Sequence, residues 1–283
     1  MALNLSSKNI TKAVLRQYRL SPSKRLGQNF LIDKFAVKKV IKAAQLTKNE
    51  VVLEIGPGLG ALTQALAKAA GRVITVEKDF KMVEILKNSL RGVKNVKIIQ
   101  ADVLKTPNTK YKIQDTRYKI VANLPFYLTA AVIRQFLESK KPPKEMILVV
   151  QKEVAQRICG SPPKMNLLSV SVQFYAKPKI VGFLSKKSFW PQPKVDSAIL
   201  RITNLKPQAP KTERDLFFKV VKAGFSHPRK LLVNNLAKKI NIEKDKVIEI
   251  LQKNNISPAL RSETLKISDW KKIARAFSVY RLL

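Results

Sequence analysis

Three polar side chains stand directly after short β-rich runs: Glu77, Asp102 and Asn123. A carboxylate at the first position can accept hydrogen bonds from both hydroxyls of a ribose, and one at the second can accept from an adenine amino group. The amide at the third position can accept from another amine. Because the carboxyl ends of parallel strands meet at one edge of a sheet, the three side chains are predicted to converge.

A glycine-rich turn, EIGPGLG at residues 54–60, precedes these side chains. Alternate glycines let the backbone approach a ligand closely near a helix N-terminus. Similar turns serve nicotinamide and flavin enzymes, and others serve packing alone. With acids after the next two β-rich runs, the turn favours an adenosyl ligand, and Gly56 and Gly58 are predicted to contact it.

The segment VANLPFYLT at residues 121–129 combines two acceptors with an aromatic ring. The side-chain carbonyl of Asn123 and the backbone carbonyl of Leu124 can each accept one hydrogen of an exocyclic amine, which favours a more nucleophilic nitrogen. Pro125 holds the preceding residue extended and has no N–H. Phe126 offers a face on which an extruded base can stack. A methyl donor is therefore favoured over a dinucleotide, the alternative being an ordinary turn with a core phenylalanine.

Alternating β-rich and helical patterns position this chemistry. Strands separated by helix-length segments imply a mostly parallel, doubly wound α/β sheet of Rossmann-like type. After a polar, proline-bearing linker at 204–210, apolar residues at three- and four-residue spacing predict a small all-helical domain. The β-rich runs are residues 51–55, 73–76, 96–99, 118–122, 146–150, 169–174, 177–183 and 197–202, and the helical patterns before the linker are 34–45, 62–70 and 80–90.

The charge points to a nucleic-acid partner. Lys and Arg number 55 against 19 Asp and Glu, a formal net charge of +36, which attracts a phosphate backbone. Residues 1–32 carry no acid and form a basic arm, helical up to Tyr18. One cysteine excludes an intrachain disulfide and fits a reducing cytoplasm, and no apolar run is long enough for a membrane span. The sequence has no Cys/His cluster, so a structural metal is not expected. His227 and Cys159 are expected to be non-catalytic.

Five motifs occur in the order typical of the rRNA adenine dimethyltransferase family, and the chain resembles its small-subunit branch. The resemblance runs from about residue 24 to the C-terminus, where FSHPRKLLVNNL at 225–236 resembles that branch's basic helical-domain motif. The motifs are GQNFLID at 27–33, EIGPGLGALT at 54–63, NLPF at 123–126, QKEV at 151–154 and FWPQPKVDS at 189–197.

The resemblance implies a class I methyltransferase fold that uses S-adenosyl-L-methionine. The expected reaction is N6,N6-dimethylation of two adjacent adenosines near the 3′ end of 16S rRNA, in a precursor of the small ribosomal subunit, by a monomer that needs neither metal nor membrane. The resemblance further implies an arm at 1–32, a methyltransferase domain at 33–204 and an RNA-contacting helical domain at 205–283. The implied cofactor-binding residues are Gln28, Asn29, Leu31, Gly56, Gly58, Glu77, Lys78, Asp102, Val103 and Asn123, and the implied catalytic residues are Asn123, Leu124, Pro125, Phe126 and Phe189, the last as a second stacking surface.

Departures from the family pattern leave alternatives open. Phe126 stands where the small-subunit branch more often has Tyr, and Phe also occurs in the antibiotic-resistance branch that acts on large-subunit rRNA. Tyr127 replaces a usual Asn, and residues 164–168 lack a usual Tyr-Gly pair. A non-catalytic ribosome-assembly or transcription factor with the same fold is a second alternative. A nicotinamide oxidoreductase is a third, disfavoured by the charge.

Overall fold

The computed structural model describes residues 5–23, 26–106, 111, 113, 118–205 and 210–280, with side chains up to residue 278. The chain divides into two units, residues 1–155 with 177–205 and residues 156–176 with 206–283. Lys24 and Arg25 of the predicted arm and residues 206–209 of the predicted linker lie outside the described residues.

The first unit is built on a seven-stranded sheet of order β4-β3-β2-β5-β6-β9-β7. The five strands from β4 to β6 are parallel, whereas β9 runs antiparallel to both of its neighbours. The predicted doubly wound, mostly parallel α/β sheet is confirmed. The strands are β1 Phe30–Leu31, β2 Val51–Ile55, β3 Arg72–Glu77, β4 Val96–Gln100, β5 Lys119–Asn123, β6 Glu145–Gln151, β7 Lys177–Leu184, β8 Phe189–Trp190 and β9 Ser197–Thr203, with β1 and β8 forming a separate antiparallel pair.

Helices lie between most of the strands along the chain. Two of them begin at aspartate caps: Asp33 accepts a hydrogen bond from the Phe35 N–H at 2.8 Å, and Asp79 accepts one from the Lys81 N–H at 3.0 Å. The helices are α1 Lys8–Gln17, α2 Lys34–Ala44, α3 Ala61–Ala69, α4 Phe80–Ser89, α5 Thr129–Leu137, α6 Lys152–Ile158, α7 Leu167–Tyr175, α8 Lys211–Gly224, α9 Leu232–Ile240, α10 Lys244–Lys253 and α11 Ile267–Ala276.

The helix predicted within the basic arm is present as α1, and its apolar face belongs to the core. Val14 and Leu15 pack in one cluster with Phe30, Met82 and Ile85. The arm is therefore not only a charged extension, since burial of these side chains fixes α1 against the sheet unit.

The strand predicted at residues 169–174 is wrong, because this segment is helix α7. The alternating serine and valine residues resemble a strand pattern, but Asn166 and Ser169 form a capping box that starts a helix. Phe174 then packs on Phe217 of α8, with ring centroids 4.2 Å apart. This packing explains why residues 156–176 group with the C-terminal helices and not, as predicted, with the sheet.

Candidate active site

A cavity of about 230 Å³ lies at the carboxyl edge of the parallel strands. Every residue predicted from the sequence to bind the cofactor or act in catalysis lines it. They are Gln28, Asn29, Leu31, Gly56, Gly58, Glu77, Lys78, Asp102, Val103, Asn123, Leu124, Pro125, Phe126 and Phe189.

The glycine-rich turn between β2 and α3 forms the floor of the cavity. Gly56 and Gly58 have φ values of +66° and +56°, which side-chain-bearing residues rarely adopt. A Cβ on Gly58 would also lie 3.1 Å from the Phe30 ring. The turn thus brings main chain, without side chains, to the cavity wall.

Glu77 ends β3 and is buried, with 9% of its surface exposed. Its carboxylate accepts hydrogen bonds from the N–H groups of Lys78 at 2.8 Å, Asp79 at 2.9 Å and Gly58 at 3.2 Å. Burial nevertheless raises the pKa of Glu77, because desolvation outweighs these donors. The carboxylate is therefore fixed in orientation at the cavity wall.

Glu54 is a site residue that the sequence analysis did not single out. It is the second-last residue of β2, two positions before Gly56, lines the cavity and is 1% exposed. The Thr63 hydroxyl donates to Oε2 at 2.7 Å, while Oε1 has no hydrogen-bond partner among the described residues. Burial raises the pKa of Glu54 to about 8, against the Thr63 hydrogen bond and with help from the charge of Glu77. The signal for Glu54 in the sequence was an acid at the start of the glycine-rich motif EIGPGLG.

Asp102 follows β4 and is paired with a lysine. Lys78 Nζ lies 3.0 Å from Oδ2, and the Leu104 N–H donates to Oδ1 at 3.0 Å. Partial burial raises the pKa of Asp102, but the hydrogen bond and charge of Lys78 with the Leu104 N–H outweigh it, and the net pKa is lowered. Asp102 is thus an ionised acceptor at neutral pH.

The polar end of β5 shows how the predicted acceptors are presented. Asn123 Nδ2 donates to the backbone carbonyl of Asn29 at 3.1 Å, which leaves Oδ1 as the acceptor side of the amide. The Leu124 N–H donates to the Val149 carbonyl at 3.2 Å. Among the described residues, neither Asn123 Oδ1 nor the Leu124 carbonyl receives a hydrogen bond. Pro125 follows in an extended conformation with φ −53° and ψ 133°.

Three aromatic residues near the cavity differ in exposure. Phe126 is partly buried, Tyr127 is 56% exposed and Phe189 is 4% exposed. Phe189 packs in the core cluster with Val121 and Ile147 as well as lining the cavity. Its surroundings suit a core residue, and its stacking role stays a prediction. The Tyr127 ring lies against Gly27, where a Cβ would be 3.4 Å from Cδ1.

The segment before α2 crosses the carboxyl edge of the sheet. Gln28 Nε2 donates to Asp79 Oδ2 at 3.2 Å near the end of β3, and the Asn29 carbonyl accepts from Asn123 at the end of β5. Phe30 and Leu31 then pair with β8. The N-terminal segment therefore forms one wall of the cavity and orients the Asn123 amide.

The described residues contain neither a metal-binding cluster nor a membrane-spanning helix. No group of three or more His, Cys, Asp or Glu side chains there could hold a metal ion. No helix in that part of the chain has the length and apolar character needed to cross a membrane.

Residues 20–273 match the family described as ribosomal RNA adenine dimethylase. The chain belongs to this family. "Ribosomal RNA small subunit methyltransferase A" of Dehalococcoides mccartyi (strain CBDB1) is 42% identical over 94% of this chain and 92% of its own length. The protein of the same name from Streptococcus thermophilus (strain ATCC BAA-491 / LMD-9) is 40% identical over 97% of this chain and 98% of its own length. The resemblance recognised from the five motifs is thereby confirmed.

Two solved structures share the fold. A dimethyladenosine transferase from Plasmodium falciparum superposes with a TM-score of 0.74 at 24% identity, over 87% of this chain and 96% of that one. The 23S rRNA methyltransferase ErmE superposes with a TM-score of 0.71 at 24% identity, over 88% of this chain and 100% of that one. Both likenesses establish the class I methyltransferase fold that the family resemblance implied.

Proposed function

We propose that this chain transfers methyl groups from S-adenosyl-L-methionine to the exocyclic N6 of two adjacent adenosines near the 3′ end of small-subunit rRNA, as a step in subunit biogenesis. The observation that carries the proposal is the end of β5, where Asn123 Oδ1 and the Leu124 carbonyl are both unoccupied acceptors at the cavity. The names of the two curated relatives support the small subunit as the source of the RNA.

The cavity residues fit the methyl donor. The donor carries an ammonium, a sulfonium, a ribose and an adenine, and the cavity offers three carboxyl groups and a side-chain-free glycine turn. The buried Oε1 of Glu54, without a partner among the described residues, is an acceptor that a cationic ligand would satisfy. Glu77 would hold the ribose and Asp102 the adenine, and Gly56 would lie under the methionine part. When bound, the donor supplies an electrophilic methyl group.

The residues around the target base act by positioning. Asn123 Oδ1 and the Leu124 carbonyl accept the two hydrogens of the amine, which draws its lone pair out of conjugation with the ring. Phe126 stacks on the extruded base, a contact worth about 1–3 kcal/mol. Alignment of nitrogen and methyl supplies most of the acceleration. The proton leaves after the methyl has been transferred, so a general base is not required.

The Asn123 amide is held for this task by the N-terminal segment. Because Nδ2 donates to the Asn29 carbonyl, the amide cannot turn its donor side to the substrate without losing that bond. The same segment pairs with β8 through Phe30 and Leu31. The N-terminal segment therefore contributes both to the cofactor cavity and to the orientation of the Asn123 amide.

The test is transfer of labelled methyl from S-adenosyl-L-methionine to small ribosomal subunits that lack the modification, followed by nucleoside analysis. We expect N6,N6-dimethyladenosine in the small-subunit rRNA. Asn123→Ala should still bind the cofactor, but should label the RNA at least a hundredfold more slowly. A wild-type protein that binds the cofactor but labels no small-subunit rRNA would contradict the proposal. In a parallel assay with large-subunit rRNA, labelling would then favour the large-subunit branch, and no labelling would favour a non-catalytic factor.

A further inference from the structure

Two of the five family motifs, QKEV at 151–154 and the end of FWPQPKVDS at 189–197, have no role in the cavity chemistry. The sheet register brings them together, because Gln151 of β6 and Leu184 of β7 both pair with Ser197 of β9. The residues after Gln151, those after Leu184 and those before Ser197 therefore meet at the same carboxyl edge, beside the cavity.

Asp196 fixes the backbone of two lysines at this edge. Its backbone carbonyl accepts a hydrogen bond from the Lys152 N–H at 3.0 Å, and its Oδ1 accepts one from the Lys186 N–H at 2.9 Å. One residue thus sets the start of α6 and the loop after β7 relative to each other. The arrangement is built by the fold and does not depend on chance contacts of long side chains.

An exposed aromatic ring lies within this arrangement. Phe183, near the end of β7, is 51% exposed, and Lys152 Nζ lies 5.6 Å from its ring centroid. Lys187 is also exposed, and Lys186 partly so. Among the described residues none of these three lysines forms an ion pair, although the exposed carboxylates of Glu153 and Asp196 stand nearby in sequence. An aromatic face bordered by ammonium groups is the combination that single-stranded nucleic acid binds.

The arrangement lies at a defined distance from the target-base position. Asn123 pairs with Val149 of β6, and β9 and β7 follow β6 in the sheet. Three strand spacings of about 4.8 Å separate β5 from β7 by roughly 14 Å. That span corresponds to at most about four nucleotides at a stacked rise of about 3.4 Å.

We propose that Phe183, Lys152, Lys186 and Lys187 form a flanking subsite for the RNA strand on one side of the target adenosine. A base up to four nucleotides from the target stacks on Phe183, and neighbouring phosphates contact the lysines. The proposal rests on the proposed function, because it takes the RNA substrate of that same site. It adds a second contact that selects single-stranded RNA of sufficient length beyond the target base.

The test is a binding titration with two labelled single-stranded RNAs, without cofactor. One extends five nucleotides on both sides of the target adenosine and the other extends one. Phe183→Ala should weaken binding of the long RNA about tenfold, as expected for loss of one base–aromatic stack, and leave the short RNA unchanged. Phe183→Tyr should retain wild-type affinity because the ring face remains.

The charges are tested by salt dependence. For the long RNA, the Lys152→Gln/Lys186→Gln variant should lower the slope of log affinity against log salt by about 1.4, two single-strand phosphate contacts at about 0.7 each. The controls are two exposed residues of β7 that lie farther from the carboxyl edge: Val181→Ala and Lys179→Gln should bind both RNAs like the wild type.

Unchanged binding of the long RNA by Phe183→Ala, or equal weakening on both RNAs, would overturn the subsite. The same holds if Val181→Ala weakens binding as much as Phe183→Ala. Because these titrations involve no methyl transfer, a wild-type protein that fails to methylate small subunits would remove the proposed function alone, and the two failures remain distinguishable.

Discussion

Buried carboxyl groups occur at both edges of the parallel sheet, but their partners differ. At the amino edge, Glu145 is 4% exposed and lies between the Arg201 guanidinium and Lys119 Nζ, the latter at 3.5 Å. Lys119 also lies 3.0 Å from Glu50. At the carboxyl edge, Glu54 is equally buried, yet a threonine hydroxyl is the one partner found for it among the described residues.

The amino edge satisfies its own charges. Lys119 Nζ donates to the carbonyls of Ala44 at 2.8 Å and Gln45 at 3.0 Å in addition to its ion pairs. Such a network is complete without a ligand, so its role is structural. The carboxyl edge instead leaves acceptors at Glu54, Asn123 and Leu124 that nothing in the described chain occupies, which is what a ligand site requires. An incompletely paired acid facing a cavity, and not burial alone, therefore distinguishes the carboxyl edge from the amino edge.

The largest effect is expected from Lys119→Met at the amino edge. Removing the ammonium leaves Glu145 with Arg201 and Glu50 with the exposed Lys144 as their remaining charge partners. The loss of the buried partner should lower the free energy of unfolding by about 3 kcal/mol in urea titration. Adding Glu145→Leu should recover most of the loss. The cofactor dissociation constant of the folded protein should stay the same, and a large change in it would break the separation between the two edges.

Asn123→Ala at the carboxyl edge should show the opposite profile. Loss of one preorganised acceptor should lower kcat by about 10²–10³, while the free energy of unfolding should change by less than about 1 kcal/mol because the residue is partly exposed. Single-turnover methyl transfer and urea unfolding measure the two quantities. A stable variant with normal kcat would show that the amide is not a catalytic residue.

Glu54→Gln tests the half-paired acid through the pH dependence of stability. With a folded pKa of about 8 and an ordinary unfolded pKa, wild-type Glu54 binds a proton in the native state but not in the unfolded state between about pH 4.5 and 8. Its contribution to stability is therefore present below about pH 4.5 and is lost as pH rises to about 8, at up to about 1.4 kcal/mol per pH unit.

The glutamine variant should flatten this dependence. Urea unfolding at pH 6, 7 and 8 should show a smaller decline than in the wild type, and Glu145→Gln at the amino edge provides the comparison with a paired acid. Identical pH profiles for wild type and Glu54→Gln would show that Glu54 is ionised in the native protein.

The smallest effect is expected from Lys78→Gln. The ion pair with Asp102 involves a lysine side chain that is 60% exposed, so its loss should change the free energy of unfolding by less than about 1 kcal/mol. The pKa of Asp102 should rise, measurable by NMR titration, because its main favourable partner is removed. A loss as large as that of Lys119→Met would contradict the distinction between exposed and buried pairs.

The positions of the site residues were predictable because strand ends of a parallel sheet converge by topology. Strand β2 was predicted at its observed bounds, and Glu77, Asp102 and Asn123 lie at the expected edge. The contact that orients Asn123 was not predictable, because it is made by a backbone carbonyl 94 residues away in the chain. No sequence pattern reports such a partner.

Other features needed the tertiary structure. Lys119 and Glu145 look like ordinary surface charges in the sequence, and their burial follows only from the pairing of β5 with β6. The segment 169–174 carries a strand-like alternation, and its helical conformation depends on the Asn166 capping box and on packing against α8. Phe189, predicted to stack on a base, is largely covered by the core, which sequence spacing alone does not reveal.

The acceptors at the end of β5 are proposed to position adenosines of small-subunit rRNA for dimethylation. The most direct measurement is mapping of N6,N6-dimethyladenosine in rRNA from cells that lack the protein, with either the wild type or Asn123→Ala restored. We predict two adjacent dimethylated adenosines near the 3′ end of the small-subunit rRNA with the wild type, and neither with Asn123→Ala. Dimethylation that persists without the protein, or that returns with Asn123→Ala, would contradict the account.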